Sequence, residues 1–140
     1  MGQYFIAVNL DKREFIHPHR FGDGLKFYEM CGSSSGVLAA LAHLLRQSDD
    51  PVSKHDIVGS WANCRVTIVG DYDSSKLYET VMDEFKDVSF DVFRAMVDDK
   101  CTRDTLETAT RWRRREDLGN LSSDPDERAF YREVFDEPKV

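Results

Sequence analysis

The sequence predicts an α+β fold, in which a small, mainly antiparallel sheet packs against four to five helices. Two observations predict the sheet. In the segment "YFIAVNL" at residues 4–10, side chains suited to the core alternate between the two faces of a strand, and "FIHPH" at 15–19 follows after a polar turn. The segment "RVTIV" at 65–69 is rich in β-branched residues, which favour a strand. The third observation, apolar residues at helical spacing from Val37 to Leu45, predicts the first long helix.

The N-terminal hairpin follows from the alternation of apolar and polar side chains. Tyr4, Ile6, Val8 and Leu10 would share one face of the first strand, and "DKRE" provides the polar turn. The second strand contains Pro18, which donates no backbone hydrogen bond. We therefore expect this strand to lie at an edge of the sheet or to end at the proline.

The segment "RVTIV" is predicted to be a central strand of the sheet. Apolar residues fall on both of its faces, and a strand with this pattern is usually covered on both sides. Gly70 is predicted to end the strand. Ser74 or Ser75 would then begin a helix that carries Leu77 and Val81.

Two later helices have predicted N-terminal caps. Ser89 is the predicted N-cap of the first, and Asp124 with Glu127 forms a capping box at the start of the second. The length is typical of one domain. We expect a single domain over residues 1–140, of which about 101–140 would form a charged helical extension.

The composition restricts the possible classes of partner. Acidic residues outnumber basic ones by 26 to 19, so the net charge is −7, which does not fit a nucleic-acid-binding domain and repels anionic membranes. Three widely spaced cysteines predict neither a zinc ribbon nor a disulfide scaffold. The N-terminal segment lacks a signal-peptide pattern, and no apolar stretch has the length of a membrane span. We therefore expect a cytoplasmic protein with reduced thiols.

Three segments together resemble a known pattern: "MGQYFIAVNLDKREFIHPHRFGDGLKF", "CGSSSG" and "GSWANCRVTIVGDYD". The pattern is similar to that of a family of small proteins from bacteriophages and bacteria, which also occurs in fungi. The resemblance covers about the first 75 residues. It implies a viral or mobile-element accessory protein in which the three polar segments occur as a set, and it implies no catalytic role for any residue.

His17 and His19 are the candidate metal ligands. If residues 15–19 are extended, both imidazoles point to one face, where they could bind a divalent metal such as zinc. The alternative is a pair of strand-end histidines that bond to backbone carbonyls, which needs no cofactor. The third metal ligand would be Asp71 or one of three other candidates, Asp23, Asp73 and Cys64.

The small-residue loop formed by Gly32, Ser33, Ser34, Ser35 and Gly36 is a candidate anion site. Free N–H groups at a helix start, with nearby hydroxyls, can bind phosphate or carboxylate. The loop lacks the lysine and the spacing of a P-loop. A capped turn without a ligand is the alternative.

The segment "GDYDSS" supplies two candidate ligand-binding carboxylates, Asp71 and Asp73. Polar residues beyond a strand end often bind ligands in open α/β sheets, and Asp71, Asp73 and Trp61 could recognise the part of a ligand whose phosphate the serine loop holds. Either carboxylate could instead cap the following helix. We expect the histidines, the serine loop and the aspartates to meet at the rim of one polar cleft.

A polar helix is predicted at residues 102–116, where "RWRRRE" places four arginines around Trp112. Such a cluster can bind phosphate or nucleic acid. Neighbouring acidic side chains can pair with these arginines along the helix, so a solvated, salt-bridged face is the preferred interpretation.

Three functional hypotheses follow from these observations. The first is a non-enzymatic accessory protein that binds another protein, with a phage-type inhibitor of a host factor as one form, and whose acidic balance favours a basic partner. The second is a binder of a small anionic ligand such as a nucleotide. The third is a metal-dependent hydrolase that would use His17, His19 and Asp71.

Overall fold

The computed structural model describes residues 3–21, 25–31, 36–47, 55–98 and 124–135. Within these ranges the chain forms a four-stranded mixed sheet, a 3-10 helix and five α-helices. The α+β fold predicted from the sequence is confirmed. The predicted helix at 102–116, with its arginine cluster, lies outside the described residues.

The elements have the following bounds. The strands are β1 (Phe5–Asn9), β2 (Glu14–Ile16), β3 (Val66–Gly70) and β4 (Lys86–Asp87). A 3-10 helix (Pro18–Phe21) follows β2. The α-helices are α1 (Phe27–Met30), α2 (Gly36–Leu45), α3 (Leu77–Glu84), α4 (Ser89–Asp98) and α5 (Pro125–Phe135).

Strand β1 occupies the interior of the sheet, whose order is β3-β1-β2-β4. It pairs antiparallel with both β2 and β3, and β4 pairs parallel to β2. The prediction that β3 is a central strand was wrong, because β3 lies at an edge of this sheet. Its two apolar faces reflect helices on both sides of the sheet, not strands on both edges. Val66 packs against one core cluster and Val69 belongs to the other.

Helices cover both faces of the sheet and create two core clusters. On one face, residues of β1, β2 and β3 pack with Val81 of α3. On the other face, Ala7 and Ile16 pack with α2, α4 and the Trp61 indole. The buried members of this larger cluster are Ala7, Ile16, Phe21, Val37, Ala40, Leu44, Trp61, Val88, Val92, Phe93 and Met96.

Asn9 shows why the hairpin turns where it does. This residue is completely buried at the end of β1. Its side-chain Oδ1 accepts hydrogen bonds from the backbone N–H groups of Asp11 and Lys12, at 3.0 and 2.9 Å. An asparagine that bonds in this way mimics a backbone turn. The polar segment "DKRE" is thus held as a turn by the last residue of the strand before it.

The start of α4 differs from the prediction in its capping residue. The Asp87 carboxylate, and not the Ser89 hydroxyl, accepts a backbone N–H at this helix start, that of Ser89 at 2.9 Å. The Ser89 hydroxyl instead accepts the N–H of His17 at 2.8 Å. The serine therefore fastens the end of β2 to α4. No helix in the described ranges is long and apolar enough to cross a membrane.

Gly36 allows α2 to approach the 3-10 helix. A Cβ atom at this position would lie 2.4 Å from the carbonyl oxygen of Phe21 and 2.6 Å from its Cβ. Phe21 is completely buried, and a backbone carbonyl cannot rotate away as a side chain can. The close contact between the two helices therefore requires glycine.

We predict that Gly36→Ala destabilises the protein by about 1–3 kcal/mol, the usual cost of overpacking. Helix propensity alone predicts the opposite sign, because alanine favours a helix over glycine by about 1 kcal/mol. Urea unfolding measures the difference. The control is Ala42→Gly on the exposed side of α2, which should be destabilised only by the lower helix propensity of glycine. Stabilisation by Gly36→Ala would show that the helices do not meet in this way.

Candidate functional site at one end of the sheet

Three chain segments meet at one end of the sheet because β1 runs antiparallel to both of its neighbours. Ala7 lies opposite Ile16 near the end of β2, and Phe5 lies opposite Gly70 at the end of β3. His17 and Asp71, which directly follow β2 and β3, are thereby placed at the same end. They flank β1 two strand spacings apart, about 10 Å.

Asp71 holds the first residues of β1 in place. Its Oδ1 accepts the backbone N–H of Tyr4 at 3.0 Å, and its own N–H donates to the Tyr4 carbonyl at 2.9 Å. The carboxylate thus replaces a backbone acceptor where the ladder between β1 and β3 ends. This gives Asp71 a structural role that sequence reasoning did not anticipate.

Asp73 organises the turn before α3. Its Oδ2 accepts hydrogen bonds from the hydroxyl and the backbone N–H of Ser75. The Ser75 hydroxyl oxygen in turn accepts the N–H of Leu77 at 3.2 Å, at the first residue of α3. The hydrogen bonds from the Ser75 hydroxyl and N–H hold the pKa of the Asp73 carboxyl below its ordinary value. Asp73 therefore has a structural role in the turn, but it does not cap α3, whose N-cap is Lys76 without a side-chain capping hydrogen bond.

The candidate histidine ligands are close together, but they do not lie on an extended segment. The 3-10 helix begins at Pro18, so the condition for a shared strand face is not met. The two imidazole rings pack edge to face with centroids 5.0 Å apart, and Nδ1 of His17 accepts the N–H of His19 at 3.3 Å. One imidazole nitrogen of His17 is therefore already engaged by the backbone.

Within the described ranges no side chain completes a metal site at these histidines, and the candidate ligand Asp23 lies outside those ranges. Among the residues that the structure describes, no group of three His, Cys, Asp or Glu side chains is close enough to hold a metal ion. Asp71, the predicted third ligand, bonds to Tyr4 instead. Zinc binding by His17, His19 and Asp71 stays a prediction.

Gly36 is the residue of the serine loop that lies within the described ranges. Residues 32–35 lie outside the described ranges, and Gly36 packs against Phe21 at the end of the 3-10 helix that follows His17. Gly36 is thereby brought to the same region as the histidines. Anion binding by Gly32, Ser33, Ser34, Ser35 and Gly36 stays a prediction.

Trp61 is a core residue in this structure. Its side chain is 0% exposed, and its Nε1–H donates to Oε1 of Glu14 at 2.9 Å. Its backbone N–H also bonds to the Leu44 carbonyl at 2.9 Å. The indole therefore presents no face on which a ligand could stack, and its polar atom is satisfied inside the protein.

Exposed aromatic side chains surround this end of the sheet. We define the aromatic surface as Tyr4, Phe27, Tyr28 and Tyr72, of which Tyr28 is 89% exposed and Tyr72 is 64% exposed. The N–H of Phe5 bonds to the Leu25 carbonyl at 2.8 Å, which brings the segment before α1 against the start of β1. The Phe5 and Phe27 rings then meet at 5.5 Å and the Phe27 and Tyr28 rings at 6.5 Å. Tyr4 and Tyr72 are joined to the same end through Asp71.

Tyr78 of α3 packs, partly buried, against the smaller core cluster. Partial burial raises the pKa of its phenol, and the negative charge of Asp71 adds to the shift, with smaller effects from Glu79 and Tyr4. This phenol thus stays neutral at physiological pH. It interacts electrostatically with Asp71 and Tyr4, so α3 also contributes to the same end of the sheet.

A separate polar cleft of about 340 Å³ lies beside α4, and sequence reasoning did not identify it. It is lined by His55, Asp56, Ile57, Asp91 and Arg94. Next to it, Nε2 of His55 lies 2.6 Å from Oδ2 of Asp98, which joins the loop before Trp61 to the end of α4. Only tertiary contact brings together residues that are 43 positions apart in the chain.

We predict that Ser75→Ala raises the pKa of Asp73 towards the ordinary carboxyl value, because the hydroxyl hydrogen bond is the largest cause of the shift. A lowered folded-state pKa means that this contact stabilises the protein above about pH 3.8, and that the stabilisation is lost as the pH falls through the folded-state pKa. Carboxyl NMR titration measures the change. Ser74→Ala is the control, and an unchanged Asp73 titration in Ser75→Ala would contradict the hydrogen bond between the Ser75 hydroxyl and Asp73.

Comparison with known proteins gives no functional assignment for this site. A scan against protein-family models found no match, nor did a search of curated proteins or one of solved structures.

Proposed function

We propose that the protein acts by binding another protein through its aromatic surface. The observation that supports this proposal is the exposure of Tyr4, Phe27, Tyr28 and Tyr72 around a single end of the sheet. Isolated exposed apolar residues are common on any protein, whereas a cluster of large ones marks an interaction site.

Tyrosine and phenylalanine are suited to this role for physical reasons. They are enriched at protein interfaces, and tyrosine is among the residues that contribute most binding energy when truncated to alanine. A tyrosine provides a large contact area while losing few rotatable bonds, and its hydroxyl can bond at the wet rim of an interface. Tyr28 exposes nearly its whole side chain, so its burial by a partner would remove a large apolar area from water.

The surface rests on a rigid support. Asp71 ties Tyr4 to the end of β3, and the Phe5 N–H ties the segment before α1 to β1. Aromatic side chains that are held in place before binding lose less entropy when a partner is bound. The position at the end of a packed sheet therefore favours recognition of a specific partner.

The charge balance indicates the kind of partner. The chain carries a net charge of −7, and Asp73 is exposed next to Tyr72. A partner with an apolar pocket and basic side chains around it would match both features, since opposite charges accelerate association. The resemblance to phage proteins points to a host factor as the partner, whose activity the bound protein would inhibit.

We predict that the double variant Tyr28→Ser and Tyr72→Ser loses its partner while remaining folded. Both side chains are exposed, so their removal should leave the free energy of unfolding within about 0.5 kcal/mol of the wild type. Affinity capture from a lysate of the native cell identifies the partner, and titration with the purified partner measures the dissociation constant. We expect that constant to rise by roughly tenfold or more, as for interface hot spots.

The matched control is the double variant Leu45→Ser and Met82→Ser. Leu45 of α2 and Met82 of α3 are similarly exposed, at 42% and 45%, but neither belongs to the aromatic surface. The control should retain wild-type affinity. Equal affinity of the tyrosine variant and the wild type for the captured protein would contradict the proposal.

A further inference from the structure

The two edges of the sheet differ in how they are protected against pairing with another strand. Strand β4 forms one edge and has only two residues, Lys86 and Asp87, both charged and exposed. Short length and charge are the usual devices that keep an edge strand from pairing. Strand β3 forms the other edge, and its five residues "VTIVG" include neither a charge nor a proline.

The hydrogen-bond pattern shows which backbone groups of β3 face outwards. Asp71 donates its N–H to the Tyr4 carbonyl, and Leu10 donates its N–H to the Arg65 carbonyl. Bonded pairs alternate along an antiparallel ladder, so residues 65, 67, 69 and 71 bond to β1. The N–H and C=O groups of Val66, Ile68 and Gly70 therefore point away from β1.

These outward groups are available for a further strand. Within the part of the chain that the structure describes, no hydrogen bond satisfies the backbone groups of Val66 and Ile68 at this edge. The Gly70 carbonyl accepts the N–H of Asp73 at 3.1 Å and retains a second lone pair. The side chain of Ile68, at the middle of the strand, is 40% exposed.

From this edge we infer that β3 pairs antiparallel with β3 of a second copy of the chain, which joins two sheets into one of eight strands. The pairing is centred on Ile68, so that Ile68 of each copy lies opposite its counterpart. Val66 then lies opposite Gly70, and the outward groups of both residues form bonded pairs across the two-fold axis. The inference is independent of the aromatic surface.

Charge complementarity selects both the second copy and the register. With Ile68 at the centre, Arg65 of each copy lies directly opposite Asp71 of the other, because both are three residues from the centre. Opposite charges in cross-strand positions stabilise a sheet. Arg65 is 77% exposed in its side chain and binds Asp11 of its own chain through Nε at 2.8 Å, which leaves its two terminal NH2 groups as donors for Asp71 of the other copy.

The self-pairing also accounts for an exposed isoleucine at the centre of an apolar strand. Ile68 shares a sheet face with Ala7, its partner in β1, on the side of the sheet that carries α2 and α4. In the dimer, two Ile68 side chains cover each other on this face. The two aromatic surfaces then lie at opposite ends of the joined sheet, because the two β3 strands run in opposite directions.

The test uses the full chain and a pair of complementary variants. Sedimentation velocity of the wild type should give twice the 16.2 kDa mass of the chain. In Ile68→Lys, and likewise in Ile68→Glu, like charges would lie opposite each other, so we expect the dissociation constant to rise by roughly tenfold or more in each variant. An equimolar mixture of the two variants should recover the dimer, because lysine then lies opposite glutamate.

Met82→Lys and Met82→Glu are the matched controls, since Met82 is similarly exposed but belongs to α3 and not to β3. Both should remain dimeric. The inference is overturned if the wild type is monomeric at 100 μM, a result that needs no variant to fold. It is also overturned if both Ile68 variants stay dimeric. A third contradictory result is that the two folded variants stay monomeric when they are mixed, which is expected if the edge accepts a strand from a different protein.

Discussion

The structure depends on the position of β1 between β2 and β3. Four consecutive residues of this strand, Ile6 to Asn9, are completely buried, with helices on both faces of the sheet and strands on both edges. Because β1 is antiparallel to both neighbours, the chain that leaves β2 and the chain that leaves β3 emerge at one end. The antiparallel pairing of β1 with both strands is thus the physical reason why Tyr4, His17 and Asp71 lie at the same end of the sheet.

At this end of the sheet, the polar side chains of Asp71 and Ser89 have a structural role. At the end of a sheet, backbone groups lose their ladder partners and need other acceptors, and such groups are seldom left unpaired when buried. Asp71 supplies one acceptor for β1, and the Ser89 hydroxyl supplies one for His17 beyond β2. These polar side chains complete the fold, and the exposed surface beside them is aromatic. Asp71 and Ser89 therefore each have a structural role at this end of the sheet.

Local patterns in the sequence predicted the longer strands and helices, but not the 3-10 helix, β4 or the order of the strands in the sheet. Alternation predicted the hairpin, and helical spacing predicted α2, because both periodicities report directly on which side chains are buried. The position of β3 at an edge was missed, since helices on both faces produce the same apolar pattern as a central position. The role of Trp61 could not be predicted from the sequence either, because a tryptophan in a polar loop can contact a ligand or lie in the core. Only the tertiary contact with Glu14 decides between these two roles. The aromatic surface was missed because exposure of Tyr28 and Tyr72 has no periodic signature.

Native-state amide hydrogen exchange by NMR tests the central position of β1 most directly. Bonded pairs with β3 and with β2 alternate along this strand, so every amide from Ile6 to Asn9 has a partner on one side or the other. The account predicts uninterrupted slow exchange over these four residues, close to the rate set by global unfolding. Rapid exchange at every second one of these amides would mean that β1 has a strand on one side alone, and it would contradict the architecture on which the shared end of the sheet depends.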